Sequence, residues 1–308
     1  MIDTALIVYQ EDILEQAART LGYEVSGQSV RAYAGDTRVF KAWLDAQGMD
    51  IAQVDYDAVV RYHAYLLSTY AKATAARRFV VMRRLLEVAV KRGLLPHNPA
   101  ADVKSKIRID DASPHTALTK REAKRLLAAI DTTKAKGRRD YALVMLLIYG
   151  GIRRSECAAI RLADITLKQE HHVLTIQNGK GNKRRDVPLR PDTFRAINAY
   201  LAAVDRLNDS PDSFLFTGFV NQGQKQTMRG ITDRQIANIV KEYAALAHLT
   251  CTPHDLRATS ITLMIDTGAP IIKVQRLVGH SSPVTTERYY SRKLDLDDSP
   301  VYKIDLNS

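Results

Sequence analysis

The sequence predicts a mainly α-helical chain with a small antiparallel β-sheet, divided into two domains. Its 308 residues are enough for two separate cores. A break in texture runs from Leu94 to Thr119, where three prolines fall and few apolar positions repeat. On both sides of that break apolar residues recur at helical spacing, and around residues 172–189 the period changes to two. The expected division is a helical N-terminal domain over residues 1–102, a linker over 103–116 and a second domain with a C-terminal tail over 117–308.

The N-terminal half reads as helix throughout. From Ser29 to Ala46 the apolar positions are Val30, Tyr33, Val39, Phe40 and Trp43. Asp55 is placed to cap a helix running through Leu67. A third helix, Ala73 to Arg92, carries Phe79, Val80, Met82, Leu85, Leu86, Val88 and Val90, and Gly93 stops it. Arg77, Arg78, Arg83 and Arg84 crowd this helix with few acids between them, the pattern of a DNA-facing surface. Lys104, Lys106 and Arg108 make the linker basic.

In the second half, Thr119-Lys-Arg-Glu122 is a capping box that opens a helix. Residues Tyr141 to Tyr149 are apolar all round, so their helix is buried, and Gly150-Gly151 ends it. A further helix runs through Ile160. His172–Ile176 and Asp186–Leu189 read as strands joined by Asn178-Gly-Lys-Gly-Asn182, with Pro188 placing the second at an edge. Thr232-Asp-Arg-Gln235 is another capping box. Thr252-Pro253, Ala269-Pro270 and Ser282-Pro283 each suggest a cap followed by proline at the first helical position, with Gly268 and Gly279 as stops. The tail, Val301 to Leu306, alternates apolar residues and is suited either to its own domain or to a neighbouring protomer.

Net charge is +11, which favours a polyanionic partner because each cation set against a phosphate releases a counterion. Cys157 and Cys251 lack the spacing of a metal site or disulfide framework, and Cys157 reads as a small core residue in a reducing compartment. The start of the chain lacks a signal-peptide pattern and no apolar run approaches the ~20 residues that span a bilayer. The expectation is a cytoplasmic, nucleoid-associated protein with no membrane partner. There is no acidic cluster of the kind that holds two magnesium ions and no P-loop, so no metal, ATP or other cofactor is expected.

Four islands carry chemistry: Gly151-Ile-Arg153-Arg-Ser-Glu156, Gly179-Lys180-Gly-Asn-Lys183, His254-Asp-Leu-Arg257, and Gly279-His280 followed nine residues later by Tyr289. Singly, each has a structural explanation. Arg153 can pair with Glu156, Lys180 can be a turn lysine, and His254 and Arg257 share a helix face as many such pairs do. Together they meet one need. Two guanidiniums clamp the non-bridging oxygens of a phosphodiester, a lysine or histidine protonates the departing 5′ oxygen, and a nucleophile takes the phosphate.

In this order the islands resemble the tyrosine recombinase (phage integrase) family, and in particular its simpler two-domain Xer-like members. Residues 151–156 are similar to the family's G-L-R-x-S-E pattern, Lys180 to its hairpin lysine in G-K-G-N-K, and His254 with Arg257 to its H-x-x-R motif. Val278-Gly-His-Ser281 is similar to L-G-H-S, and Thr285-Thr-Glu-Arg-Tyr289 to T-T-x-x-Y. The resemblance implies a helical core-binding domain and an α+β catalytic domain. It implies a site-specific recombinase that cleaves and rejoins double-stranded DNA at paired sites, as a tetramer, through a 3′-phosphotyrosyl intermediate. Tyr289 is then the nucleophile in preference to Tyr290, and Arg153 and Arg257 hold the phosphate oxygens. Lys180 is the general acid, His254 the tyrosine's base or hydrogen-bond partner, His280 a hydrogen-bond partner of the phosphate and Glu156 a brace. Three positions depart from the pattern: Ala258 where a second histidine is common, with Thr259 or Ser260 as a substitute, Arg154 for an aliphatic residue and Tyr149 for a small one. A type IB topoisomerase-like relaxing enzyme and a non-catalytic DNA-binding accessory protein are the competing functions.

Overall fold

The computed structural model describes residues 27–93, 95–103, 116–177, 184–220, 225–280 and 282–290, and for 27–32, 225, 284 and 288–290 the backbone alone. Most of the expected linker and the whole tail lie outside the described residues, as do Lys104, Lys106 and Arg108. The chain divides into two compact units, Met1–Asp110 and Asp111–Ser308.

The first unit contains α1 (Gly27–Ala46), α2 (Tyr56–Thr69) and α3 (Lys72–Lys91). Asp55 caps α2 by accepting the Ala58 amide at 2.7 Å, as the sequence predicted. Phe40, Tyr62, Leu66, Phe79, Met82, Leu85 and Leu86 are all fully buried in one core, and the rings of Phe40, Trp43 and Tyr62 pack together at tilted or stacked angles. The expectation fails at Val80, which is half exposed. Val81 takes the inward position, because eight buried residues on α3 set a helical phase that turns Val80 outward.

The second unit is built around α5 (Ala135–Gly150), whose residues Ala142 to Ile148 are buried without exception. Before it lies α4 (Lys120–Ala128), opened by the Thr119–Glu122 capping box. After it come the short α6 (Arg154–Ala159) and a three-stranded antiparallel sheet of β1 (Ile165–Lys168), β2 (His171–Ile176) and β3 (Arg185–Pro188). The order β1-β2-β3 puts Pro188 on an edge strand, paired opposite Val173. Helix α7 (Pro191–Ala203) packs on α5, and β4 (Thr217–Val220) pairs antiparallel with β5 (Lys225–Gly230) in a second small sheet. Then follow α8 (Asp233–Leu246), α9 (Pro253–Asp266), α10 (Ile271–Val278) and α11 (Pro283–Tyr290).

Local chemistry sets these boundaries. Thr232 and Thr252 close capping boxes with Gln235 and Asp255, and Pro253 is the first residue of α9. Pro270 differs from expectation: its extended ψ of 132° makes it the cap of α10, and Ile271 is the first helical residue. Gly279 ends α10 in the left-handed region at φ 69°, and Gly151 ends α5 there at φ 57°. Residues 116–118 enter the unit across α9. Asp255 Oδ1 accepts the Thr116 amide at 3.0 Å, and Thr259 Oγ1 accepts the Leu118 amide at 2.8 Å.

Candidate active site

The turn at Gly151 delivers Arg153 and Glu156 from the end of the buried α5. Glu156 is the third residue of α6, so its carboxylate reaches back to accept the Arg153 amide at 2.7 Å. Its Oε1 also accepts from Arg153 Nη1 at 2.9 Å. Arg185, on β3, donates to the same carboxylate through both terminal nitrogens, at 2.9 Å to Oε1 and 2.7 Å to Oε2. Burial by itself would raise the Glu156 carboxyl; the hydrogen bonds from Arg185 and the Arg153 amide, with both guanidinium charges, outweigh it and hold the group down at about 2.

Arg257 lies on α9 and is 3% exposed. Its guanidinium donates to the carbonyl of Gly151, and through Nη2 to the carbonyl of Val278 at 2.8 Å. Arg153 Nη2 donates to the next carbonyl, that of Gly279, at 2.9 Å. Arg185 Nε donates to the preceding one, that of Leu277, at 2.9 Å. Three guanidiniums thus close on three successive carbonyls at the end of α10, where the helix leaves its last carbonyls without intrahelical partners and its dipole is negative. Consecutive Cα atoms are ~3.8 Å apart, so Arg153 and Arg257 are brought side by side. Among the described residues, the carboxylate of Glu156 alone stands against these three guanidinium charges, a balance that suits an anion.

His280 follows directly, with Nδ1 2.9 Å from Thr286 Oγ1 on α11. Burial, then the charges of Arg257, Arg153 and Arg185, lower its imidazole from 6.5 to about 4, so it is neutral at pH 7. Both shifts make the protein acid-labile. The unfolded chain binds a proton at His280 near 6.5 and the folded one only near 4, so stability falls as pH drops through that window. Glu156, ionised when folded down to about 2 but ordinarily titrating at 4.5, adds roughly 3 kcal/mol that is present above 4.5 and lost below it. Thermal unfolding between pH 7 and pH 3 is expected to show both steps, and His280→Gln to shrink the upper one, to which His63, also lowered by burial, contributes.

The structure therefore gathers Arg153, Arg257 and His280. His254 is one turn before Arg257 on α9 and exposed. The backbone of α11 puts Tyr289 three residues beyond Thr286, the partner of His280, and Tyr290 four. Lys180 lies outside the described residues. Arg77, Arg78, Arg83 and Arg84 belong to the other unit. There Arg77 and Arg78 both bind the buried Asp36, Arg78 sits 3.7 Å above the Tyr70 ring, and Arg83 donates to the Ala101 carbonyl at 3.2 Å. Part of that basic run thus serves its own fold. Of the substitutes expected for the second histidine, Thr259 accepts the Leu118 amide and donates to the Asp255 carbonyl, and the buried Ser260 hydroxyl lies where a side chain on Gly151 would stand. Arg154 pairs with Asp233 at 3.2 Å, and Tyr149 lies under the Arg190 guanidinium. Cys157 is buried, and burial pushes its thiol up.

Arg185 escaped the sequence reading. One signal was available: it is two residues before the buried Val187 on β3, so it occupies the inward face of a strand, where an arginine needs a carboxylate. Among the described residues no group of three or more His, Cys, Asp or Glu side chains could hold a metal ion. Nor is any described helix long and apolar enough to cross a membrane.

Residues 116–295 match the phage integrase family, and residues 21–93 match the phage integrase N-terminal SAM-like domain. Tyrosine recombinase XerC of Myxococcus xanthus is 32% identical over 273 residues, 86% of this chain and 87% of the relative. Tyrosine recombinase XerD of Pseudomonas aeruginosa is 30% identical over 263 residues, 84% of each. In solved structures, the XerH site-specific recombinase in a post-cleavage complex with palindromic difH substrate shares the fold at a TM-score of 0.73 and 18% identity, over 94% of this chain and 82% of that one. A lambda integrase dimer bound to a COC′ core site does so at 0.70 and 13%, over 92% and 97%. The mainly helical architecture with small antiparallel sheets is theirs as well. Since the catalytic match alone takes in more than half of the chain, and the arginines, histidines and tyrosine stand in the expected order within it, this protein belongs to the phage integrase family.

Proposed function

We propose that the protein is a site-specific tyrosine recombinase that cuts and rejoins double-stranded DNA at paired recognition sites, acting as a homotetramer on DNA without ATP. The observation that carries the reading is the placement of Arg153 and Arg257 on adjacent carbonyls, with the next residue, His280, tied to the helix of Tyr289. Relatives named XerC and XerD support it, as do structural neighbours bound to DNA, one of them a lambda integrase tetramer on a Holliday junction. Residues 1–102 serve as the core-binding domain, 103–116 as the linker and 117–308 as the catalytic domain, and the protein works in the cytoplasm at the nucleoid.

In this reading the Tyr289 oxygen attacks the scissile phosphorus and its proton passes to His254. The bond from phosphorus to the 5′ oxygen breaks, and Lys180 protonates that oxygen. Arg153, Arg257 and a neutral His280 hydrogen-bond the non-bridging oxygens as charge concentrates on them. A tyrosine with an ordinary pKa of ~10 is a weak nucleophile at pH 7, and the nearby guanidiniums favour its phenolate. The phosphotyrosine ester conserves the energy of the broken bond, so a 5′ hydroxyl from a second duplex reseals the strand. Arg83, Arg84 and the outer part of Arg77 remain as candidate phosphate contacts of the first unit, with Arg78 a contact that also buttresses the fold.

A nicked duplex that loses its short 5′ fragment traps the intermediate. A search of the DNA flanking the gene for paired inverted repeats, each ~11–13 bases for one helical turn per protomer, supplies its sequence. The full chain is expected to become covalently linked to the 3′ end, Tyr289→Phe to give no linkage and Tyr290→Phe to retain it. A linkage that persists in Tyr289→Phe removes the nucleophile assignment. No linkage by the intact chain favours a non-catalytic binder, and relaxation without exchange between paired sites favours a topoisomerase.

A further inference from the structure

We propose that Arg185 is a positioning residue of the phosphate clamp: by taking up the Glu156 carboxylate it fixes Arg153 and leaves that guanidinium's charge available to the scissile phosphate. The inference rests on the phosphotyrosine reading above and adds to it a residue that never touches DNA.

Two features of the geometry require such a residue. The first is charge. Arg153 donates to Glu156 through Nη1, and an arginine paired with one buried carboxylate is a neutral unit with little pull on an anion. Arg185 donates twice to that carboxylate, so the trio is cationic. The second is reach. Arg185 is 9% exposed at its side chain, too enclosed to meet a duplex itself, yet its Nε holds the Leu277 carbonyl, next to the carbonyls that hold Arg257 and Arg153. The guanidinium lies against Gly279, where an added Cβ would stand 3.1 Å from it. One side chain on β3 thereby joins α6 to the end of α10. Only a planar fork with three bonded nitrogens does this, so lysine keeps the charge without the geometry.

A substrate in which a methyl group replaces one non-bridging oxygen separates this role from general support of the fold. Such a methylphosphonate is neutral, so the clamp's charge matters much less to its cleavage. Single-turnover cleavage by the full chain is compared on nicked duplexes bearing the repeats that the same search identifies, with an ordinary phosphodiester or a methylphosphonate at the scissile position. Arg185→Gln is expected to slow phosphodiester cleavage about 100-fold and methylphosphonate cleavage by less than about 10-fold. Arg185→Lys is expected to fall between on the phosphodiester, and Arg185→Gln with Glu156→Gln to be no slower than the worse single variant. Equal losses on both substrates, or a fully additive double variant, overturn the proposal. So does failure of both Arg185 variants to fold, judged by thermal unfolding, because the residue is then a fold element. If Arg185→Gln alone does not fold, Arg185→Lys carries the comparison. An intact chain that forms no covalent complex sinks the recombinase reading and this inference with it, whereas an active chain with equal losses sinks this inference alone.

Discussion

Arg257→Ala is expected to slow strand cleavage by about 1000-fold, at the upper end of what a single preorganised donor supplies to an oxyanion. The side chain is 3% exposed, and it is anchored by the Gly151 and Val278 carbonyls before any substrate arrives. No reorganisation is then needed as charge builds on the phosphate. The substitution also leaves two buried carbonyls without a donor, at about 1–3 kcal/mol together with the lost packing. Arg257→Lys separates the two effects, because it restores the charge but not two fixed donors, and it is expected to recover stability more than rate. Single-turnover cleavage beside thermal unfolding checks this; a rate within about threefold of the parent would remove Arg257 from the clamp.

The largest loss of stability is expected far from the site, at Asp140. This residue of α5 is fully buried and gathers three partners: Arg139 at 2.6 and 2.8 Å, the Tyr243 hydroxyl at 3.0 Å and Lys136 at 3.4 Å. Burial, then the adjacent carboxylate, raises the Tyr243 phenol far above its usual range, so the hydroxyl stays a donor. Arg139 is itself buried and spends its remaining nitrogen on the Thr217 carbonyl of β4. Asp140→Ala strands that guanidinium in the interior, and breaking a buried pair from one side costs about 3–5 kcal/mol. For a unit of this size that is a fall in Tm of roughly 10 °C. A change below about 1 kcal/mol would mean that water reaches the cluster.

Much of the fold was legible because its punctuation is local. Thr119 and Thr232 announce their helices through a partner three residues on, Thr252 through the proline that follows it, and Gly151 and Gly279 end theirs by a conformation other residues avoid. The buried α5 showed in its unbroken apolar run, and β2 and β3 in their alternation. Strand β1 was hidden by its length, four residues with three exposed. Strands β4 and β5 were hidden because their inward residues include Thr217 and Gln226, which bond to each other at 2.6 Å instead of forming an apolar stripe. At the site, Arg153, Arg257 and His280, which the structure brings together, stood out in the sequence by type and order. Arg185 there, and Asp36 in the first unit, did not, because each is defined by a partner distant in the chain. A count of arginines along α3 could not distinguish those turned toward a buried acid from those left outside.

The two hydrogen bonds that bring residues 116–118 onto α9 bear on how the protein can be taken apart. Thr119 is a tempting point to begin a shortened version, since it already caps a helix. A fragment cut there would keep every named element of its unit. It would still lose the amides that occupy Asp255 and Thr259, within one turn of His254 and Arg257. Dissecting the enzyme at its seam therefore means leaving a short selvedge of the upstream strap in place.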